Sequence, residues 1–359
     1  MATETSVGVD ETIYRRVLAH LERAERIVLT THVNADGDGA GSEAALAAWL
    51  ARRGKAVTIL NPTPFPETYR HLLDRPDRAL PPNGRQGRAA LDAADLIVVL
   101  DTGEPRRIGR LKRALERRPV VVIDHHPPGE SAIQGVALCD PGACATGELL
   151  YDLLRFAAGS DDAAAAAADD DDEAWPPEVA EGLYTAIVTD TGSFRFSNTS
   201  ARAHRITADL IERGVDPEAV YRRLFATVPP HRLELLRVAL GHLEVDPEMP
   251  ITWITIPPGA MEELGAESED VDGIIDHARS VRGTEVALLF RQVKDGSTKV
   301  SLRSNGDVDV NAIARRFGGG GHIRASGALI GEPLDAARGE VLDAVRDVVR
   351  ALERGGDSR

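Results

Sequence analysis

Four runs in the first 130 residues are apolar at almost every position instead of alternating: RIVLTTH (26–32), AVTIL (56–60), DLIVVLD (95–101) and VVVID (120–124). A strand built this way must be buried on both faces, which is the condition of a parallel sheet covered by helices on either side. Helical patterns lie between the runs, the clearest being AGSEAALAAWLARR (40–53), closed by Gly54. The reading is an α/β fold with an N-terminal, doubly wound, mainly parallel sheet. Such sheets bind ligands beyond the carboxyl ends of their strands. Three of these runs end on His32, Asp101 and Asp124, so all three groups are expected on one sheet edge.

Further along, ATGELLYDLLRF (145–156) and PEVAEGLYTAIVTDTG (177–192) read as helices, followed by helices over 200–213, 216–226 and 230–243. Between the first two lies AAGSDDAAAAAADDDDEA (157–174), an acidic low-complexity segment that reads as a solvated insertion. DPEMP (246–250) suggests a boundary. Beyond it the pattern restarts with ITWITI, helices near 259–264 and 271–280, strands EVALLFRQ and KVSLRS joined by KDGS, a helix at 309–317, the strand ASGALI (325–330) and a last helix at 333–354. The expected domains are 15–245 and a smaller α+β domain, 250–355.

Composition removes several function classes. The net charge is −15, whereas a protein that tracks long duplexes shows a basic field. Short anionic substrates remain open, because bound cations invert the local field. No window holds the roughly 18 uncharged apolar residues of a membrane span. The N-terminus lacks a basic region followed by an apolar core, so a cytoplasmic location is expected. Cys139 and Cys144 are too few to make a zinc site and read as reduced thiols.

Four segments carry donors suited to chemistry. His32-Val-Asn-Ala-Asp36-Gly-Asp38-Gly-Ala-Gly41-Ser42 joins a strand to a helix and offers one imidazole and two carboxylates. Asp101 ends a strand, as does the run Asp124-His125-His126. Two adjacent histidines on an extended chain face different ways, so one can ligate while the other meets the substrate. Asp190 closes an apolar helix, where an ionised carboxylate needs a partner. Together His32, Asp36, Asp38, Asp101, His125 and Asp190 are six ligands of the hard or borderline kind. That number suits two divalent cations about 3.5–4 Å apart, a site for in-line displacement at phosphorus. Mixed imidazole and carboxylate donors favour Mn2+, with Mg2+ second.

With these segments the chain resembles the DHH phosphoesterases, whose name is the run Asp124-His125-His126 here. It is most similar to the branch of bacterial nanoRNases and 3′-phosphoadenosine-5′-phosphate (pAp) phosphatases. The resemblance spans roughly residues 20 to 335. It includes the DHH-associated domain through Ser301-Leu-Arg303-Ser304 and Phe317-Gly-Gly-Gly-Gly-His322-Ile-Arg324-Ala-Ser326-Gly327. It implies one cation on His32, Asp36 and a bridging Asp101, and another on Asp38, Asp101, His125 and Asp190. His126 and Asp101 are then the catalytic residues, with His126 at the phosphoryl or leaving group. One departure is Ala35, where the family usually has proline.

The glycine run before His322 suits a backbone nest for an anion, and Arg303 offers a guanidinium fork. The expected substrate-binding set is therefore Arg303, Gly319, Gly320, Gly321, His322 and Ser326. The resemblance implies hydrolysis of short oligoribonucleotides to mononucleotides and of pAp to AMP. The partners would be short RNA or small nucleotides, with no long duplex, no membrane and a homodimer by resemblance. A cyclic-dinucleotide phosphodiesterase, an inorganic pyrophosphatase and a catalytically silent nucleotide-binding module are the competing readings. The glycine-run clamp counts against the pyrophosphatase, and the complete ligand set counts against the silent module.

Overall fold

The computed structural model describes residues 10–129, 131–159, 175–293 and 295–356. It divides into two compact units, residues 1–226 and 227–359. The first holds α1 (Glu11–Arg23), β1 (Arg26–Thr30), α2 (Gly37–Arg52), β2 (Ala56–Ile59), α3 (Arg85–Ala93), β3 (Leu96–Leu100), α4 (Lys112–Leu115), β4 (Val120–Asp124), β5 (Val136–Cys139), α5 (Thr146–Ala157), α6 (Pro177–Asp190), α7 (Ala201–Glu212) and α8 (Pro217–Phe225). Its five strands run in the order β2-β1-β3-β4-β5 and every pairing is parallel.

Alternate residues of each central strand point to opposite faces of the sheet, with one large cluster on one face and two smaller ones on the other. Ile27, Leu29, Val98, Leu100, Val121 and Ile123 pack under Leu46, Leu50, Leu150 and Leu183, on the side of α2, α5 and α6. Val28 packs with Leu60 and Leu111. Ile97, Val99, Val120 and Val122 pack with Ile108 and Ile133, with Leu91 and Leu115 against them. This two-sided burial is why the strands are apolar throughout, and each buried aliphatic side chain contributes about 1.5–3 kcal/mol. The chain steps from β1 outward to β2 and then returns to β3 on the other side of β1. The loops after β1 and β3 therefore diverge and leave a crevice between them.

Helices α2 and α6 meet at backbone distance. A methyl group on Gly41 would lie 2.4 Å from the Gly182 carbonyl oxygen, and one on Gly182 would lie 2.6 Å from that of Gly41. Only glycine permits this approach. The acidic segment, from residue 160 to 174, lies outside the described residues.

The second unit holds α9 (Pro230–Leu240), β6 (Leu243–Val245), β7 (Ile251–Ile256), α10 (Ala260–Leu264), α11 (Ile274–Arg279), β8 (Val286–Gln292), β9 (Thr298–Ser304), α12 (Val310–Arg316), β10 (Gly320–His322), β11 (Ala325–Ile330) and α13 (Leu334–Gly356). Its sheet runs β10-β11-β9-β8-β7-β6, parallel only between β7 and β8. Helix α9, expected to finish the first domain, packs instead on this sheet. Leu235 and Ala239 are buried with Ile254, Ile256 and Leu289. The contact boundary thus falls at 226/227 and not at 246–250. Among the described helices none is long and apolar enough to cross a membrane.

Candidate metal centre

The loop after β1 carries His32 and then Asp36, which caps α2 by accepting from the amides of Asp38 and Gly39, each at 3.1 Å. The helix begins at Gly37, three residues earlier than its apolar pattern suggests, so Asp38 sits in the first turn. Asp101 follows β3 with φ of 59°, in the left-handed region that a non-glycine residue rarely occupies. Asp124 ends β4, and Asp190 is the last residue of α6.

These side chains converge. His32 Nδ1 donates to its neighbour's carbonyl, Val33 O, at 2.9 Å. Its Nε2 therefore points at Asp101 Oδ2, 3.1 Å away, and Asp36 Oδ2, 3.7 Å away. His125 Nδ1 donates to Ala143 O at 3.3 Å. Its Nε2 lies 3.6 Å from both Asp38 Oδ2 and Asp101 Oδ1 and 3.7 Å from Asp190 Oδ2. His126 reaches the edge of this set, its Nδ1 3.5 Å from Asp101 Oδ1, but its shorter contact is elsewhere. Its Nδ1 lies 2.8 Å from Asp124 Oδ1, and its backbone amide donates to the same oxygen. The two imidazoles lie with ring centroids 4.5 Å apart at 60° to each other.

Among the described residues, three groups bring ligand atoms within 4.8 Å of one another: His32, Asp36 and Asp101; Asp38, His125 and Asp190; and Asp101, His125 and His126. Asp101 belongs to two of the groups and lies 3.6 Å from the histidine of the third, the position of a bridge.

The electrostatics test whether cations fit. Burial, together with the charges of Asp38 and Asp36, pushes Asp190 up to about 8. Burial raises Asp38, and burial with the Asp38 and Asp36 charges raises Asp101 well above the usual carboxylate range. Burial disfavours a charged His32, yet its hydrogen bonds to Asp101 and Asp36 prevail and bring it up to about 10. His125 Nε2 is buried without a hydrogen-bond partner. Four crowded carboxylates and a lone pair facing three of them are an arrangement that divalent cations relieve. The residues fit the group.

Several supporting groups had no signature in the sequence reading. The first turn of α5 turns its amides on Asp38: Thr146 N donates to Oδ2 at 2.7 Å and Gly147 N to Oδ1 at 3.0 Å. The Thr146 hydroxyl donates to Asp101 Oδ1 at 3.3 Å. Asn198 Nδ2 donates to Asp190 Oδ2 at 3.2 Å. Backbone donors leave no side-chain trace, and Thr146 and Asn198 lie far along the chain from the residues they hold. Asp124 was visible within its motif, but its task of orienting His126 needed the geometry.

The expected substrate residues lie in the second unit. Arg303, Ser301 and Lys299 share one face of β9, and β8 adds Arg291 opposite Lys299. Arg303, Arg291, Lys299, Ser268 and Asp272 line one depression. Burial lowers the pKa of both Arg291 and Arg303, a sign that the cations are only partly compensated. The glycine run is not a free loop: Gly320–His322 is strand β10, paired antiparallel with β11. A methyl group on Gly319 would lie 2.2 Å from Gly327 O, so the run is needed for close strand approach. Ser326 pairs with Leu302 and so lies on the face opposite Arg303; the structure does not bring those two together.

Comparison with known proteins agrees with this architecture. The DHH family, N-terminal domain, matches residues 26–187, and the DHHA1 domain matches residues 255–351. The chain is 32% identical over 330 residues, 89% of each chain, to the bifunctional oligoribonuclease and PAP phosphatase NrnA of Thermus thermophilus. It is 27% identical to the cyclic-di-AMP phosphodiesterase GdpP of Geobacillus thermodenitrificans, covering only 36% of that protein. The crystal structure of an exopolyphosphatase-related protein from Bacteroides fragilis superposes with a TM-score of 0.84 over 97% of this chain and 98% of the other, at 24% identity. With its cluster of aspartates and histidines at the sheet crevice, the chain belongs to the DHH family of phosphoesterases.

Proposed function

We propose that the protein is a two-cation phosphoesterase that hydrolyses short oligoribonucleotides to mononucleotides and pAp to AMP. The observation that carries the two-cation part is the pair of ligand groups around Asp101, with the buried, unpartnered His125 Nε2 facing three carboxylates. His32, Asp36 and Asp101 would hold one ion, and Asp38, Asp101, His125 and Asp190 the other. Mn2+ is proposed ahead of Mg2+ because imidazole and carboxylate are mixed. When bound, the ions supply Lewis acidity toward phosphoryl oxygens and a water molecule.

The chain's own groups do the rest. Hydrolysis joins a water oxygen to phosphorus and breaks the bond to the leaving oxygen, which must acquire a proton. Asp124 occupies Nδ1 of His126 and so commits Nε2 to the substrate, where it meets a phosphoryl oxygen or passes a proton to the leaving oxygen. Thr146 and Gly147 hold Asp38 by their amides, and the Thr146 hydroxyl holds Asp101, so the ligands need not rearrange on binding.

The substrate class rests on the Thermus relative, which this chain matches along nearly its whole length. Arg303, with Arg291 and Lys299 beside it, is proposed to hold substrate phosphate in the second unit, together with the Gly319–Gly321 segment and His322. A surface of net charge −15 offers little to an extended phosphate backbone. A cyclic-dinucleotide phosphodiesterase is the second reading, supported by the partial match to GdpP.

The test is a panel of RNA dinucleotide, RNA 20-mer, pAp and cyclic di-AMP with Mn2+ present. The dinucleotide should be cut much faster than the 20-mer, with pAp also cleaved. Arg303→Ala should raise KM for short substrates while ions stay bound. Equal rates on the two RNA lengths would sink the length reading, and a strong preference for cyclic di-AMP would promote the second one.

A further inference from the structure

One buried acidic side chain in the first unit takes no part in the chemistry above. Glu43 lies on α2, five residues beyond Asp38, and is entirely buried. Its Oε2 accepts from Asn61 Nδ2 at 2.8 Å, and Asn61 is itself buried just after β2. Asn61 Oδ1 in turn accepts from the amide of Thr31 at 3.1 Å, and Thr31 immediately precedes His32. Downstream, the amide of Val33 donates to Arg107 O at 2.7 Å and that of Asn34 to Thr63 Oγ1 at 2.8 Å. The backbone on either side of His32 is thus tethered to other elements.

We infer that Glu43 and Asn61 form a positioning pair that fixes the backbone carrying His32, and through it the cation bound by His32, Asp36 and Asp101. The inference rests on the two-cation reading. An asparagine amide can present either its oxygen or its nitrogen to a neighbour, and the two ends are similar in shape. Against the Thr31 amide only the oxygen is acceptable. Glu43 makes that choice, because its oxygen takes the Nδ2 end. Without Glu43, Asn61 can turn its amide and set donor against donor. An apolar side chain on α2 would fill the same space at no cost of polar burial, so packing alone gives no reason for a carboxyl here. Burial pushes Glu43 up to about 8, which makes it a neutral acid near pH 7. A glutamine is then its close mimic in shape and charge.

The experiment measures Mn2+ binding by equilibrium dialysis and melting temperature of the metal-free chain, for wild type, Glu43→Gln, Glu43→Ala, Asn61→Ala and Leu46→Ala. Leu46 is a wholly buried residue one turn along the same helix whose side chain makes none of these hydrogen bonds, and it serves as the stability control. Glu43→Gln should bind both ions with affinities within threefold of wild type. Glu43→Ala and Asn61→Ala should each weaken one ion by about 10–100-fold and leave the other nearly unchanged. Leu46→Ala should lower the melting temperature with both affinities kept. If Leu46→Ala weakens Mn2+ binding as much as Glu43→Ala does, the role is only structural and the inference falls. It falls equally if Glu43→Gln behaves like Glu43→Ala. Should Glu43→Ala fail to fold, Asn61→Ala, which leaves α2 untouched, decides the matter alone. Wild-type protein that retains no Mn2+ would overturn the cation reading and this inference with it.

Discussion

Replacing Asp190 by asparagine should stabilise the metal-free protein while crippling its metal binding. Asp190 faces Asp38 and Asp36 in a largely dry site, and its pKa stands at about 8 against an ordinary 3.8. The folded state therefore binds a proton that the unfolded state has already released throughout this interval. Because the folded pKa is the higher, this group's contribution is fully present below about pH 4 and drains away as pH rises toward 8. Four units at about 1.4 kcal/mol each give about 5–6 kcal/mol. With 29% of the side chain open to solvent, screening leaves about 3 kcal/mol. For a unit of this size that corresponds to a rise of about 6–12 °C in the melting temperature of Asp190→Asn at pH 8. Asn198 can still donate to the new amide oxygen, so no buried donor is stranded. The assay is calorimetry in EDTA at pH 5, 6.5 and 8, repeated with excess Mn2+. In EDTA the gap between variant and wild type should widen with pH. With Mn2+ the order should reverse, because only the wild type gains the full binding free energy. A variant that melts below wild type at pH 8 in EDTA, or a gap that does not change with pH, would refute the claim that crowded carboxylates burden the empty fold.

Asp101→Ala should lose both ions, since Asp101 touches both ligand groups, and metal analysis with near-normal turnover would remove the two-cation account. His125→Ala should lose metal at one site, whereas His126→Ala should keep its metal and lose turnover; equal metal loss in the two would show that the adjacent histidines do not divide their labour. Thr146→Val removes a buried donor to Asp101 without changing shape and should weaken metal binding roughly tenfold, consistent with about 1–2 kcal/mol for such a bond. Thr146→Ser should restore it, and an isotherm for Thr146→Val that overlays the wild type would show the hydroxyl to be idle.

The strands β1, β3 and β4 were legible because both their faces are buried, which leaves a run of apolar letters that needs no partner to interpret, while the edge strand β2 showed through the apolar letters of AVTIL although Ala56 is exposed. Strand β5, at the sheet edge, escaped because only Val136 and Leu138 are buried and alternate with the exposed Ala137 and Cys139, too few letters to form a pattern. The apolar pattern of α2 starts three residues late because Gly37 and Gly39 look like loop residues, although the Asp36 cap already supports a helix there. The ligand types were visible because they stand at the ends of elements: His32, Asp101, His125 and Asp190 where an apolar pattern stops, Asp36 and Asp38 where α2 begins. Their holders were not: Thr146, Gly147 and Asn198 act across the fold, and two of those bonds come from the main chain. Helix α9 spreads its apolar residues around its surface, with Leu233 and Leu240 exposed, so its own pattern names no face, and only the apolar surface beneath Leu235 shows which sheet it covers.

The backbone contact between Gly41 and Gly182 has a consequence beyond packing. Asp38 stands on one of these helices and Asp190 on the other. The gauge between the two carboxylates is consequently machined into the main chain, where thermal repacking of side chains cannot reset it. Core side chains elsewhere can change rotamer without altering that spacing, because the calibration of the centre stays with two glycine hydrogen atoms.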